Sequence, residues 1–131
     1  MAKSTEPITF QTARAIGLQL PGAEDGTSYG SPALKVNGQV FAGIPVNQSA
    51  EPDTLGVWVP FDQRDSLLTE APDIYYVTDH YVDYPVVLVR LSRIHRDALE
   101  GLLQMAHGFV ARKKQRLRKS SRRRVGVRRR N

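Results

Sequence analysis

The sequence predicts a single α+β domain: an antiparallel sheet with helices packed on one face, followed by a disordered basic C-terminal tail. Three observations carry this. A chain of 131 residues with 40% hydrophobic and 24% charged residues is long enough to bury one real core. Asn37-Gly38 lies between two apolar runs, the preferred type I′ hairpin signal, because both central residues must tolerate positive φ. From Ile94 to Val110, apolar residues recur at helical spacing and form one stripe.

The elements follow in order. Residues 1–7 read as a flexible lead. Thr9 can cap a helix from Phe10, with Phe10, Ala13, Ile16, Gly17 and Leu20 at helical spacing, and Pro21-Gly22 ends it. Residues 22–32, rich in Gly, Ser, Asp and Pro, read as loop or irregular strand. Ala33 to Asn37 and Gln39 to Ile44 form the hairpin, with Leu34 and Val36 on one face and Lys35 on the other. Pro45 to Thr54 is a polar loop, and Leu55 to Val59 a third strand carrying Trp58. Asp62 can cap a short helix from Gln63 to Glu70, which Pro72 ends. Ile74 to Val77 is a short strand, and Thr78 to Pro85 a polar, aromatic loop. Val86 to Leu91 is a near-continuous apolar strand, expected to be buried on both faces and interrupted by Arg90. The last helix starts near Ser92, carries Ile94, Ala98, Leu102, Met105, Ala106, Phe109 and Val110, and runs on towards Leu117. The expected order is α-β-β-β-α-β-β-α.

Composition excludes several function classes. The absence of cysteine rules out a disulfide scaffold, a thiolate metal site and a cysteine nucleophile. No run approaches 18 apolar residues, and the N-terminus lacks the apolar stretch of a secretory signal. A cytoplasmic protein is the expectation. The sequence has no phosphate-binding Gly-rich motif and no Gly-x-Ser-x-Gly elbow, and its Asp residues fit no calcium-loop spacing. His95 and His107 are twelve residues apart on the last helix, roughly 18 Å along its axis, too far to share a metal, and both are expected at the surface. Asp79-His80 invites a catalytic reading, but neighbouring side chains in extended backbone point to opposite faces. A structural loop histidine is the simpler reading. The expectation is therefore a protein without enzymatic activity, cofactor or metal.

Charge is sharply segregated. From Arg112 to Asn131 there are twelve Lys or Arg and no Asp or Glu. The remaining seven basic residues share the body with all thirteen acids, so the body carries −6 and the tail +12. A polyanion-binding appendage on an acidic body is the implied arrangement.

One ordered set of segments resembles a known family. It comprises Leu20-Pro21-Gly22-Ala23, Tyr29-Gly30-Ser31-Pro32-Ala33-Leu34-Lys35-Val36-Asn37-Gly38, Gln39-Val40-Phe41-Ala42, Tyr76-Val77-Thr78-Asp79-His80-Tyr81, and Tyr84-Pro85-Val86-Val87-Leu88-Val89-Arg90-Leu91. Together they resemble the MmcQ/YjbR-like proteins over residues 8–112. The resemblance implies a compact α+β fold related to the CyaY-like fold, and a DNA-binding role. Many members precede the final strand with a Lys-x-x-Trp-type segment. This chain has Asp83-Tyr84-Pro85-Val86 there and matches the subgroup with Thr-Asp-His-Tyr, so roles of that Lys and Trp do not carry over.

The expected organisation is a lead at 1–7, an MmcQ/YjbR-like domain at 8–111 and a basic tail at 112–131. The expected partner is nucleic acid, DNA ahead of RNA, held by Arg112, Lys113, Lys114, Arg116, Arg118, Lys119, Arg122, Arg123, Arg124, Arg128, Arg129 and Arg130. Such contacts read no bases, and the tail has no aromatic ring to stack on them. Its Leu117, Val125 and Val127 are too few to anchor it in a membrane. A second candidate site lies in the body: Tyr29, Lys35, His80, Tyr84 and Arg90, on one sheet face if the strands bearing Lys35 and Arg90 are neighbours. The simpler reading pairs Arg90 with one of the acids. Tyr75, Tyr76, Tyr81 and Tyr84 crowd one segment, either lining a groove or covering a sheet edge. The alternative function is a small-ligand or protein-interaction module whose tail only tethers or solubilises.

Overall fold

The computed structural model describes residues 7–112. Residues 1–6 of the expected lead and the tail cations from Lys113 onward lie outside these residues.

Helix α1 (Phe10–Gly17) begins at Thr9, whose backbone N–H donates to Thr12 Oγ1 at 3.1 Å. It buries Ala13, Ile16 and Gly17. Three strands follow: β1 (Ala23–Ser28), β2 (Ser31–Val36) and β3 (Gln39–Gly43). Then come β4 (Thr54–Trp58), helix α2 (Phe61–Glu70), β5 (Tyr75–Tyr76), β6 (Val86–Arg90) and helix α3 over 96–112. The expected order holds, and the segment read as loop or irregular strand contributes β1. Pro60, not Asp62, occupies the N-cap position of α2, which places Asp62 in its first turn. Helix α3 starts later than Ser92, after a turn at 91–93.

All strand pairs are antiparallel, in the order β1-β2-β3-β4-β6-β5. Both tight hairpins use two-residue turns with positive φ at each central position: Tyr29 (51°) with Gly30 (84°), and Asn37 (55°) with Gly38 (79°). That is the requirement of the type I′ turn, whose twist matches the flanking strands.

The ladder between β2 and β3 carries an extra residue. Leu34 pairs with Ala42 and Lys35 with Val40, leaving Phe41 unpaired as a bulge. Phe41 and Ala42 both belong to the core, while Val40 and Gly43 fall on the opposite face. One face of the sheet therefore presents Leu34, Ala42, Leu55, Val57, Val87 and Val89 to Ala13 and Ile16 of α1 and to Leu99, Leu102, Leu103 and Ala106 of α3. In α3 the fully buried residues include Leu99 and Leu103, whereas Ala98 is exposed, so the packed stripe is rotated from the expected one. Val86, Val87, Leu88 and Val89 are all buried, as expected of a strand covered on both faces.

The opposite face carries a register row across five strands: Ala33, Gly43, Gly56, Leu88 and Tyr76. Among the described residues, no helix lines the concavity on it. Two loops and a hairpin tip rise around it, and they build the site described next.

The core approaches α1 closely at Gly17, where a Cβ would stand 2.6 Å from Leu34 Cδ1. Gly101 of α3 is exposed, with nothing near its missing Cβ. Alanine at the two positions should act in opposite directions. Gly17→Ala should destabilise by about 1 kcal/mol or more through overpacking. Gly101→Ala should stabilise by about 1 kcal/mol through helix propensity. Urea unfolding of both variants checks the pair.

Candidate functional site

A cavity of about 440 Å³ opens on the helix-free face. Its floor is the directly opposed pair Gly43 and Gly56, with Val40, Trp58 and Val86 beside them. Missing side chains at the two glycines recess the floor. Gly43 is also required by space, since a Cβ there would lie 3.0 Å from Ala33 Cβ and 3.2 Å from the Pro32 carbonyl oxygen.

Three segments wall the cavity. Ile44, Pro45 and Val46 come from the β3–β4 loop; His80, Tyr81 and Tyr84 from the β5–β6 loop; Ser28 and Tyr29 from the β1–β2 hairpin. The two loops are fastened together. Ser49 Oγ and Thr78 Oγ1 are 2.8 Å apart, and the Asn47 N–H donates to the Tyr81 hydroxyl at 3.4 Å. Most of the large apolar side chains exposed among the described residues line it: Tyr29, Ile44, Val46 and Tyr84. An apolar, ring-lined concavity of this size is a ligand-site geometry.

Tyr84 is held by a group that sequence reasoning passed over. Arg64 of α2 is only 7% exposed. Its Nη1 donates to the Tyr84 carbonyl at 2.9 Å and to the Val86 carbonyl at 3.5 Å, and its guanidinium lies over the Phe61 ring at 4.8 Å. No carboxylate balances it among the described residues, and its Nε is buried without a partner. Burying a cation against two carbonyls is costly unless it fixes something. What it fixes is the turn that presents Tyr84.

The expected body cluster separates. Tyr29, His80 and Tyr84 line the cavity, and Lys35 and Arg90 do not. β2 and β6 are not neighbours, because β3 and β4 lie between them. Lys35 packs its alkyl chain near Gly26 of β1. Arg90 follows the simpler reading. Its Nε and Nη2 donate to the two Glu51 carboxylate oxygens, each at 2.9 Å, and Nη1 donates to the carbonyls of Pro72 and Asp73 at 3.2 Å. The guanidinium stacks 4.4 Å from the Tyr76 ring centre. The Tyr76 hydroxyl in turn accepts from the Glu51 N–H at 2.8 Å and lies 2.7 Å from Thr54 Oγ1. Arg90 thus clamps the β3–β4 loop onto β5 and β6, and supports the cavity wall from behind.

Two other described cations are also committed. Arg14 pairs with Asp25 at 2.8 Å and Arg96 with Glu100 at 3.2 Å. Besides the buried Arg64, Lys35, Arg93 and Arg112 form no ion pair among the described residues. Of the tail cations, Arg112 is described, exposed at the end of α3; the other eleven lie outside the described residues.

His80 and Asp79 are both exposed, and the ring contact of His80 is edge-on to Tyr81 at 4.6 Å. His107 departs from its expected surface role. Half-buried, it packs edge-on to Phe41 at 5.5 Å, and its Nε2 lies 2.6 Å from the Pro21 carbonyl oxygen, fixing the end of α1 to α3. Among the described residues, no group of three His, Asp or Glu could hold a metal ion. No described helix is long and apolar enough to cross a membrane.

The fold and this open-faced cavity define an α+β protein built on one antiparallel sheet. The YjbR family model matches residues 18–108, and the chain belongs to that family, the MmcQ/YjbR group. A solved structure, protein DR2400 of Deinococcus radiodurans, has the same fold: TM-score 0.68 and 19% identity, covering 85% of this chain and 84% of that one. No curated protein matches the chain.

The Arg90 clamp has a pH signature. The hydrogen bond from Arg90 holds the Glu51 carboxyl below its ordinary value of 4.5, and Arg14 likewise lowers Asp25. A depressed carboxylate stabilises the fold fully above the unfolded value, and that contribution is lost as pH falls through the folded one. The urea midpoint should therefore decline on acidification below about pH 4.5, and Glu51→Gln should flatten that decline.

Proposed function

We propose that this chain is a non-enzymatic, cytoplasmic nucleic-acid-binding protein in which residues 112–131 make sequence-independent phosphate contacts, with DNA as the expected partner. The observation that carries the reading is the segregation of charge. Twelve cations stand together in the tail without one acid. The body is net acidic, and most of its described cations are already paired or buried. A polyanion therefore finds its counter-charge on the tail. Each phosphate neutralised releases condensed counterions, which makes binding steeply salt-dependent.

The cavity favours a second reading: a small-ligand or protein-interaction module, with the tail acting only as tether or solubiliser. Fluorescence anisotropy with a labelled random duplex separates the two. With six to ten cations engaged, full-chain affinity should fall about 10³- to 10⁵-fold between about 50 and 200 mM salt. Residues 1–111 alone should lose most of the affinity and the salt slope. Equal, salt-tolerant binding by the shortened chain would move the site to the body, and absence of binding at low salt would leave the second reading.

A further inference from the structure

We propose that the helix-free cavity is a site for one unstacked base of a single-stranded nucleic acid, with Tyr29 and Tyr84 as its stacking platforms. The proposal rests on the reading above and names what the tail alone lacks.

The cavity's chemistry selects the ligand class. Five rings line it: Tyr29, Trp58, His80, Tyr81 and Tyr84. No Asp, Glu, Lys or Arg is among its lining residues. A free phosphate or carboxylate would find no counter-charge there, and a cation no carboxylate. A flat, neutral ring with polar edges fits, because aromatic faces stack on any base and hydroxyls serve its edge. At about 440 Å³ the space falls within the ~300–1,000 Å³ of ligand cavities. In a duplex the same base faces are stacked and out of reach, so the cavity discriminates by strandedness.

Tyr29 supplies an independent observation. It sits at φ 51° in a type I′ turn and is 93% exposed. The equivalent position of the next hairpin is Asn37, a residue suited to positive φ, followed by Gly38 as Tyr29 is followed by Gly30. A tyrosine there carries backbone strain and buries almost nothing in return. Its position at the cavity mouth gives the ring a use. Tyr84, half exposed, is presented from the other wall by the carbonyl that Arg64 grips.

The sequence divides the two chemistries: residues 112–131 carry twelve cations and no aromatic ring, while the cavity carries rings and no cation. Base stacking in the cavity therefore adds a strand-selective contact that phosphate attraction lacks.

The test uses the full chain, a labelled oligothymidylate and a random duplex of equal length, both followed by anisotropy at one salt concentration. The native chain should favour the single strand. Tyr29→Asn and Tyr84→Ala should each weaken single-strand binding at least about fivefold, the lower range for loss of one base–aromatic stack, and leave duplex binding unchanged. Tyr29→Asn should also melt at the same or a higher temperature, which separates lost stacking from lost folding. Unchanged single-strand affinity in both variants, with duplex binding intact, overturns the cavity proposal and leaves the tail reading standing. Binding of neither nucleic acid overturns both.

Discussion

Phe41 is one residue more than its ladder can pair, and much of the domain follows from that. Strand side chains alternate strictly, so continuing the Lys35–Val40 register would pair Leu34 with Phe41, turning Ala42 to the face that lacks helices and Gly43 to the core. The bulge turns Ala42 into the core beside Phe41, which packs near Gly17 and against the edge of His107. The same shift brings Gly43 to the opposite face, paired with Ala33. One inserted residue therefore sets both the packing of α1 and α3 and the floor of the cavity.

The two faces of the sheet meet different demands. On the helical face, Leu34, Val57, Val87 and Leu103 are fully buried and supply ordinary hydrophobic stabilisation. On the other, glycines replace side chains, and the walls are held by polar ties: Ser49 to Thr78, Asn47 to Tyr81, Arg90 to Glu51, and Arg64 to the carbonyls of Tyr84 and Val86. Rigid polar scaffolding behind a soft aromatic lining keeps the cavity open without a helix to cover it. Tyr75 shows the contrast, since burial against the core raises its hydroxyl above the usual phenol range.

Much of this was legible in the residues. Asn37-Gly38 marks a turn because few other pairs accept two positive φ values, and the apolar run of Val86 to Val89 marks a strand covered twice. Strand β1 was less legible, for Ala23-Glu24-Asp25-Gly26-Thr27-Ser28 has little β propensity and pairs only because a tight turn folds it onto β2. The bulge at Phe41 leaves no local signature, so the rotation of neighbouring side chains was hidden. The site was legible in part. Tyr29, His80 and Tyr84 stood out as exposed-type residues in loops, but which cations joined them depended on strand order, a long-range property. Arg64 was invisible because a lone Arg in a short polar helix reads as solvated; only the path of residues 84–86 buries it.

The outermost position of β1 has a consequence for the chain's behaviour in crowded solution. β2 is apolar, with Ala33, Leu34 and Val36 buried, and left uncovered it would offer its backbone to any passing strand. β1 takes that place with two adjacent carboxylates and a glycine, a poor template for further pairing. The sheet thus ends on this side in a strand whose acidic, glycine-bearing edge disfavours further backbone pairing.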